Sequence, residues 1–285
     1  MAYRETLPHL MSAAELHARI DDPQVKILDV RWRQDRPEGL PEYLQGHIPG
    51  AVFVDLDYEL ADPMSANNGQ GRHPLPAPSD FQETVQRWGL SGSETVVVYD
   101  DLKNLSSARA WWLLKWAGFP DVRVLDGSLR AWTAAEYPLA DALHLPETGS
   151  ALVRPGQLPL LEADEAAAFA HEATLLDARP TDRYTGDHDP LSVRPGHIPG
   201  AISAPATGSV DAQGRFLPAE HLRRRYLSLG VDPERPVAVY CTSGLHSAHS
   251  VIALELAGFD AVLYSAGYSQ WTRDEQRSVM VGLRP

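Results

Sequence analysis

The chain repeats itself, and the repeat fixes most of what it can fold into. ILDVR (27–31) returns as LLDAR (175–179), GHIPGA at 46–51 returns unchanged at 196–201, and GLSGSETVVVYD (89–100) returns as GVDPERPVAVYC (230–241). WAGFPDVRVLDG (116–127) matches LAGFDAVLYSAG (256–267), and Trp132 and Trp271 close the two copies. The matches keep one order, with offsets between 139 and 150 residues. A period that long is one domain present twice; solenoid repeats run to only about 20–50 residues. A length of 285 residues suits two such domains, each with its own core. Residues 143–159 hold Pro146, Pro155 and Pro159 without apolar periodicity, so they read as a linker between a first domain, 1–142, and a second, 160–285.

Each copy runs through the same elements. An amphipathic segment opens it; in the first copy Ser12 followed three residues later by Glu15 is a capping-box signature. A short apolar strand follows (VKILDV, ATLLDA), then a second after GHIPGA, a long connection, and a helix leading into TVVVYD or PVAVYC. These runs do not alternate, so they predict strands buried on both faces. After each comes a helix (SARAWWLLKWAGF, SAHSVIALELAGF), a last strand and a short helix. Strands alternating with helices predict an α/β fold, a mostly parallel sheet flanked by helices, in each domain. Ligands in such folds sit beyond the carboxyl ends of the strands.

Charge excludes several classes of partner. A net charge of -13 argues against nucleic acid, which needs clustered Lys and Arg, and against an anionic membrane surface. No apolar run approaches the ~20 residues of a membrane span, and the opening MAYRETLPHL has no long apolar leader segment. Cys241 is the one cysteine, so no internal disulfide forms and a reducing, cytoplasmic setting is expected. One Cys and scattered His lack ligand spacing, so neither a metal nor a cofactor is expected.

Cys241 lies where PVAVYC ends and the polar CTSGLHS leads into a helix. A lone cysteine is often a core filler, but its counterpart in the first copy is Asp100, and a core slot does not accept an unpaired carboxylate cheaply. The position therefore reads as a loop mouth in both copies. Backbone N–H groups at a helix N-terminus stabilise an anion there, and a thiol whose titration is lowered toward neutrality becomes a nucleophile.

The duplicated pattern D-x-R … G-H-I-P-G-A … Y-C-x-S-G resembles the two-domain rhodanese-type sulfurtransferases over nearly the whole chain. The resemblance implies that Cys241 takes a sulfane sulfur from a small-molecule donor, carries it as a persulfide, and passes it to a thiol (a reducing thiol protein included) or to cyanide. It implies that the first domain is catalytically silent, because Asp100 replaces the cysteine. Thiosulfate members resemble a loop with Arg and Lys after the cysteine; mercaptopyruvate members resemble C-G-S-G-V-T. Here Thr242, Ser243, Gly244, Leu245 and His246 follow Cys241. The loop has no Arg or Lys, Ser243 and Gly244 match the mercaptopyruvate type, and Thr242 and His246 depart from it. The resemblance further implies that Ser243 works with His73 and Asp57, that Arg183 in the R-Y-x-G element binds the donor anion, and that Arg194, before GHIPG, is a second anion arginine. Arg179 has a counterpart in Arg31 and is expected to be structural, as are His47 and His197 of the paired GHIPG turns. Two rivals are weaker. A cysteine phosphatase needs an arginine six places after the cysteine, where Ser247 stands, and a non-catalytic binding or sensor module gives no reason to keep Cys241 with Arg183 in one copy alone.

Overall fold

The computed structural model describes residues 9–66 and 68–285. Among the described residues two sheets are present, and their registered strand pairs are all parallel. The first holds β1 (Leu10–Met11), β2 (Val25–Asp29), β3 (Ala51–Phe53), β4 (Thr95–Tyr99) and β5 (Asp121–Leu125), in the spatial order β1-β5-β4-β2-β3. The second holds β6 (Thr174–Asp177), β7 (Ile202–Ser203), β8 (Val237–Tyr240) and β9 (Ala261–Tyr264), in the order β7-β6-β8-β9. Tyr99 lies opposite Asp29 across β4 and β2, and Tyr240 opposite Asp177 across β8 and β6, so the repeat read from the sequence is a repeat of register. Leu160, which bridges to Leu263 in parallel, stands where β1 stands in the first sheet.

The central strands are apolar because helices cover both faces. Every residue of β4 and β8 is buried. Trp132 closes the first core with its indole N–H on Pro138 O (2.8 Å), and Trp271 closes the second on Ser278 O (2.9 Å). The first helix is capped as expected: Ser12 Oγ accepts from Glu15 N–H and Glu15 accepts from Ser12 N–H. His47 stacks on Tyr43 and His197 on Tyr184, each at 3.7 Å between ring centres, which gives the GHIPG histidines a structural place.

The compact units follow different boundaries from 1–142, 143–159 and 160–285. The described residues up to Leu56 pack with Pro78–Gln157, and Asp57–Ala77 packs with Leu158–Pro285. Most of the expected linker thus belongs to the first unit, through backbone bonds such as Ala151 N–H to Leu90 O (3.0 Å) and Arg154 N–H to Ala117 O (2.8 Å). The segment Asp57–Ala77 leaves the first copy in chain order but makes its contacts in the second unit.

Candidate active site

Cys241 is the first residue past β8, at the carboxyl end of a central parallel strand. It is 3% exposed. Thr242 and Ser243 form the turn, Gly244 at φ +90° caps the helix Leu245–Leu256, and all four residues from Thr242 to Leu245 are buried. The loop is held from behind by the helix Gly267–Trp271: Tyr268 N–H donates to Cys241 O (2.8 Å) and Ser269 N–H to Thr242 O (2.9 Å). This approach requires glycine at 267. Its φ is +60°, and a Cβ there would lie 2.4 Å from Cys241 O. Ser247, in the first turn of the helix, donates from Oγ to Cys241 Sγ at 3.4 Å. Sequence reasoning weighed position 247 only for its missing arginine and overlooked this donor.

Asp57, His73 and Ser243 meet in the second unit. His73 Nδ1 is 2.7 Å from Ser243 Oγ, and Nε2 is 3.0 Å from Asp57 Oδ1. An ionised carboxylate only accepts, so Nε2 carries the hydrogen toward Asp57, and in the neutral ring Nδ1 accepts from the serine hydroxyl. His73 is buried, and Asp57 is a third exposed.

The arginines divide by role. Arg179 is fully buried; it pairs with Asp177 (2.6 Å) and Asp189 (3.1 Å), donates to Gly196 O (2.7 Å), and lies over the Tyr268 ring at 3.9 Å. That is the structural role expected of it. Arg183 Nε donates to the other oxygen of Asp189 (2.8 Å), while its Nη2 is buried with no partner among the described residues. His246 is half-buried, and burial, aided by the Arg183 charge, lowers its pKa to about 4, so it is neutral at pH 7. Arg194 does not join this group. Its guanidinium, expected to bind a donor anion, donates here to the carbonyl oxygens of Trp271, Thr272, Asp274 and Arg277. A planar fork of donors on a chain end suits that tying role equally well, and the residue's place before GHIPG cannot distinguish the two. Arg72, which sequence reasoning passed over, stands beside His73 with its backbone N–H on Ser269 Oγ (3.0 Å).

The first copy reveals what this loop does with an anion. Asp100 is not at a loop mouth; it is fully buried. Its carboxylate accepts from the backbone N–H groups of Leu102 and Asn104 on one oxygen and Ser106 and Ser107 on the other, all at 2.8–2.9 Å. Four donors make burial tolerable, although desolvation still raises the pKa above the usual carboxylate range. The strand-end loop leading into a helix therefore cradles a carboxylate in the first copy, and Cys241 stands at the matching strand end of the second.

A family model described as the rhodanese-like domain matches residues 12–135 and again 162–274. A Mycobacterium tuberculosis protein named "Putative thiosulfate sulfurtransferase SseB" is 44% identical over 277 residues, covering 95% of this chain and 96% of its own. A Pseudomonas aeruginosa protein named "Probable 3-mercaptopyruvate sulfurtransferase" is 39% identical, covering 96% and 98%. The crystal structure of SseA from Escherichia coli superposes with a TM-score of 0.81 at 31% identity, covering 90% of this chain and 97% of that one. Two rhodanese-like domains in tandem, matched end to end by such relatives, make this chain a member of the rhodanese-like family and a sulfurtransferase.

Proposed function

We propose that the chain moves the sulfur atom of 3-mercaptopyruvate through a persulfide on Cys241 to a thiol or cyanide acceptor. The observation that carries this reading is the hydrogen-bonded series Asp57–His73–Ser243, which ends two residues from Cys241. The Cys241 thiolate attacks the donor sulfur, the carbon–sulfur bond breaks, and its electron pair leaves on the pyruvate enolate. Ser243, backed by neutral His73, takes the proton of the donor thiol and returns it to the enolate carbon, giving pyruvate; Asp57 stabilises His73 while it holds the charge. The persulfide then gives its outer sulfur to a thiolate or to cyanide, and the Cys241 thiolate leaves. Thr242, Gly244, Leu245 and His246 shape the sulfur pocket, the backbone amides of the loop hold the charge on sulfur as their counterparts hold Asp100, and Arg183 takes the donor carboxylate. A reducing cytoplasm would keep the cysteine available as a thiol.

Thiosulfate is the rival donor, and the name of the 44% identical relative favours it. It brings two negative charges and leaves as sulfite, with no proton to return. Steady-state kinetics with both donors and one common acceptor separates the two readings. The wild type should show the higher kcat/KM for 3-mercaptopyruvate. His73→Ala should lower mercaptopyruvate turnover about 100-fold, the lower end of what a positioned acid–base group contributes, and thiosulfate turnover far less. A wild type that prefers thiosulfate, or equal losses with both donors, would sink the mercaptopyruvate assignment.

A further inference from the structure

Asn68 and Gly69 lie in the segment Asp57–Ala77, which also carries Asp57 and His73. They form the tip of a loop held at both ends. On one side Ala66 O, at the end of the short helix Pro63–Ala66, accepts from the Arg273 guanidinium. On the other, Gly71 packs so closely on Ala266 O that a Cβ would lie 2.9 Å from it, Arg72 N–H donates to Ser269 Oγ (3.0 Å), and His73 is bonded to Ser243. Between these anchors Asn68, Gly69 and Gln70 are exposed, and Asn68 N–H closes a turn onto Ser65 O (2.9 Å). Gly69 has φ +84°, with nothing within 4 Å of the place a Cβ would take. Among the described residues neither the Gly69 N–H nor the Asn68 side-chain amide has a hydrogen-bond partner. A backbone nitrogen at a loop tip, with no side chain on its own residue and no bond to release, reaches the carbonyl carbon of the preceding side chain with the least obstruction.

We propose that Asn68 is a site of spontaneous covalent modification, losing its amide to the Gly69 backbone, and that the isoaspartyl product disturbs the placing of His73. The Gly69 backbone nitrogen gives its proton to solvent base and bonds to Asn68 Cγ; the bond from Cγ to the side-chain nitrogen breaks and ammonia leaves, giving a cyclic imide. Water then opens the ring at either carbonyl, leaving aspartate or isoaspartate. Isoaspartate runs the chain through the side-chain methylene, so one more bond, about 1.5 Å, enters the backbone between the anchors. Gly71 has no slack against Ala266 O, so the added length bears on Arg72 and His73 beyond it, and the His73–Ser243 hydrogen bond of 2.7 Å is what it disturbs. That consequence rests on the relay proposed above; the loss of the amide does not.

The test ages the intact protein at mildly alkaline pH and body temperature beside Asn68→Gln, whose longer side chain must close a larger ring, and compares both with freshly made Asn68→Asp. Peptide mass spectrometry should find the mass difference between an amide and an acid on the Asn68 peptide of the parent, growing with time and faster as pH rises, with fragmentation placing an isoaspartyl linkage there. Asn68→Gln should stay unmodified over the same period. Mercaptopyruvate kcat/KM should fall about tenfold in the fully converted parent and stay within about twofold in aged Asn68→Gln. Fresh Asn68→Asp adds the charge without the extra backbone bond and should stay within about twofold of the fresh parent. A parent whose Asn68 keeps its amide while a free peptide of the same sequence loses its own overturns the proposal. So does a converted parent with unchanged kinetics, or a fresh Asn68→Asp protein that already shows the full loss. A parent that prefers thiosulfate overturns the donor reading alone; the mass of the Asn68 peptide still decides the modification.

Discussion

Cys241 and Asp100 stand at the same point of the two copies, and the chemistry of the molecule follows from that one difference. A carboxylate held by four amides is satisfied and inert; a sulfur in the matching place has valence left to react. Ser247 adds to the contrast. Its counterpart Ser107 turns its hydroxyl to Asn104 Oδ1 (3.1 Å), whereas Ser247 turns its own to Cys241 Sγ (3.4 Å). Cys241 is legible in the sequence because duplication supplies its control residue. Ser247 is not, because a serine at a helix start is too ordinary to single out, and only the turn of the helix aims it at sulfur. Losing one hydrogen bond to a charged group costs about 1.5 kcal/mol or more, so Ser247→Ala should lower kcat/KM at neutral pH roughly tenfold while the melting temperature moves little. Unchanged kcat/KM would remove Ser247 from the account of the thiolate.

Helix and strand order is legible in the sequence because buried parallel strands and amphipathic helices write their own periods, twice over. How one element presses on the next is not written that way. The backbone contact between the helix Gly267–Trp271 and the Cys241 loop is an example: the sequence displays a glycine, and the structure shows it against the Cys241 carbonyl. Arg194 is another, since its four carbonyl partners lie on a distant stretch of chain. Gly267→Ala tests the first contact. The added methyl meets the Cys241 carbonyl at 2.4 Å and the backbone angle is unfavourable for alanine, so about 1–3 kcal/mol of stability should be lost. Persulfide formation on Cys241 should slow as the loop shifts. Denaturant unfolding together with the rate of sulfur loading measures both, and a variant that matches the wild type in each would show that the helix does not set the loop.

On the scale of the whole molecule, one domain design occurs twice, and the proposed chemistry sits in the second copy alone. The second unit is more than the second copy, because it includes Asp57–Ala77 and with it Asp57, Arg72 and His73. Glycine and proline mark that stretch as irregular, but an irregular segment carries no period that reveals which unit it packs against, so the expected boundaries miss it. Resemblance to a family pointed to His73 and Asp57; only the fold brings them to Ser243. All of this chemistry converges on one sulfur atom, and the chain has one cysteine to carry it. The most direct measurement is therefore the mass of the protein and its peptides after exposure to 3-mercaptopyruvate without acceptor, for wild type and Cys241→Ser. The wild type should gain the mass of one sulfur, on the Cys241 peptide alone, and lose it to cyanide as thiocyanate; Cys241→Ser should gain none and turn over no donor. A wild type that never takes up sulfur, or a Cys241→Ser protein that keeps wild-type turnover, would contradict the account.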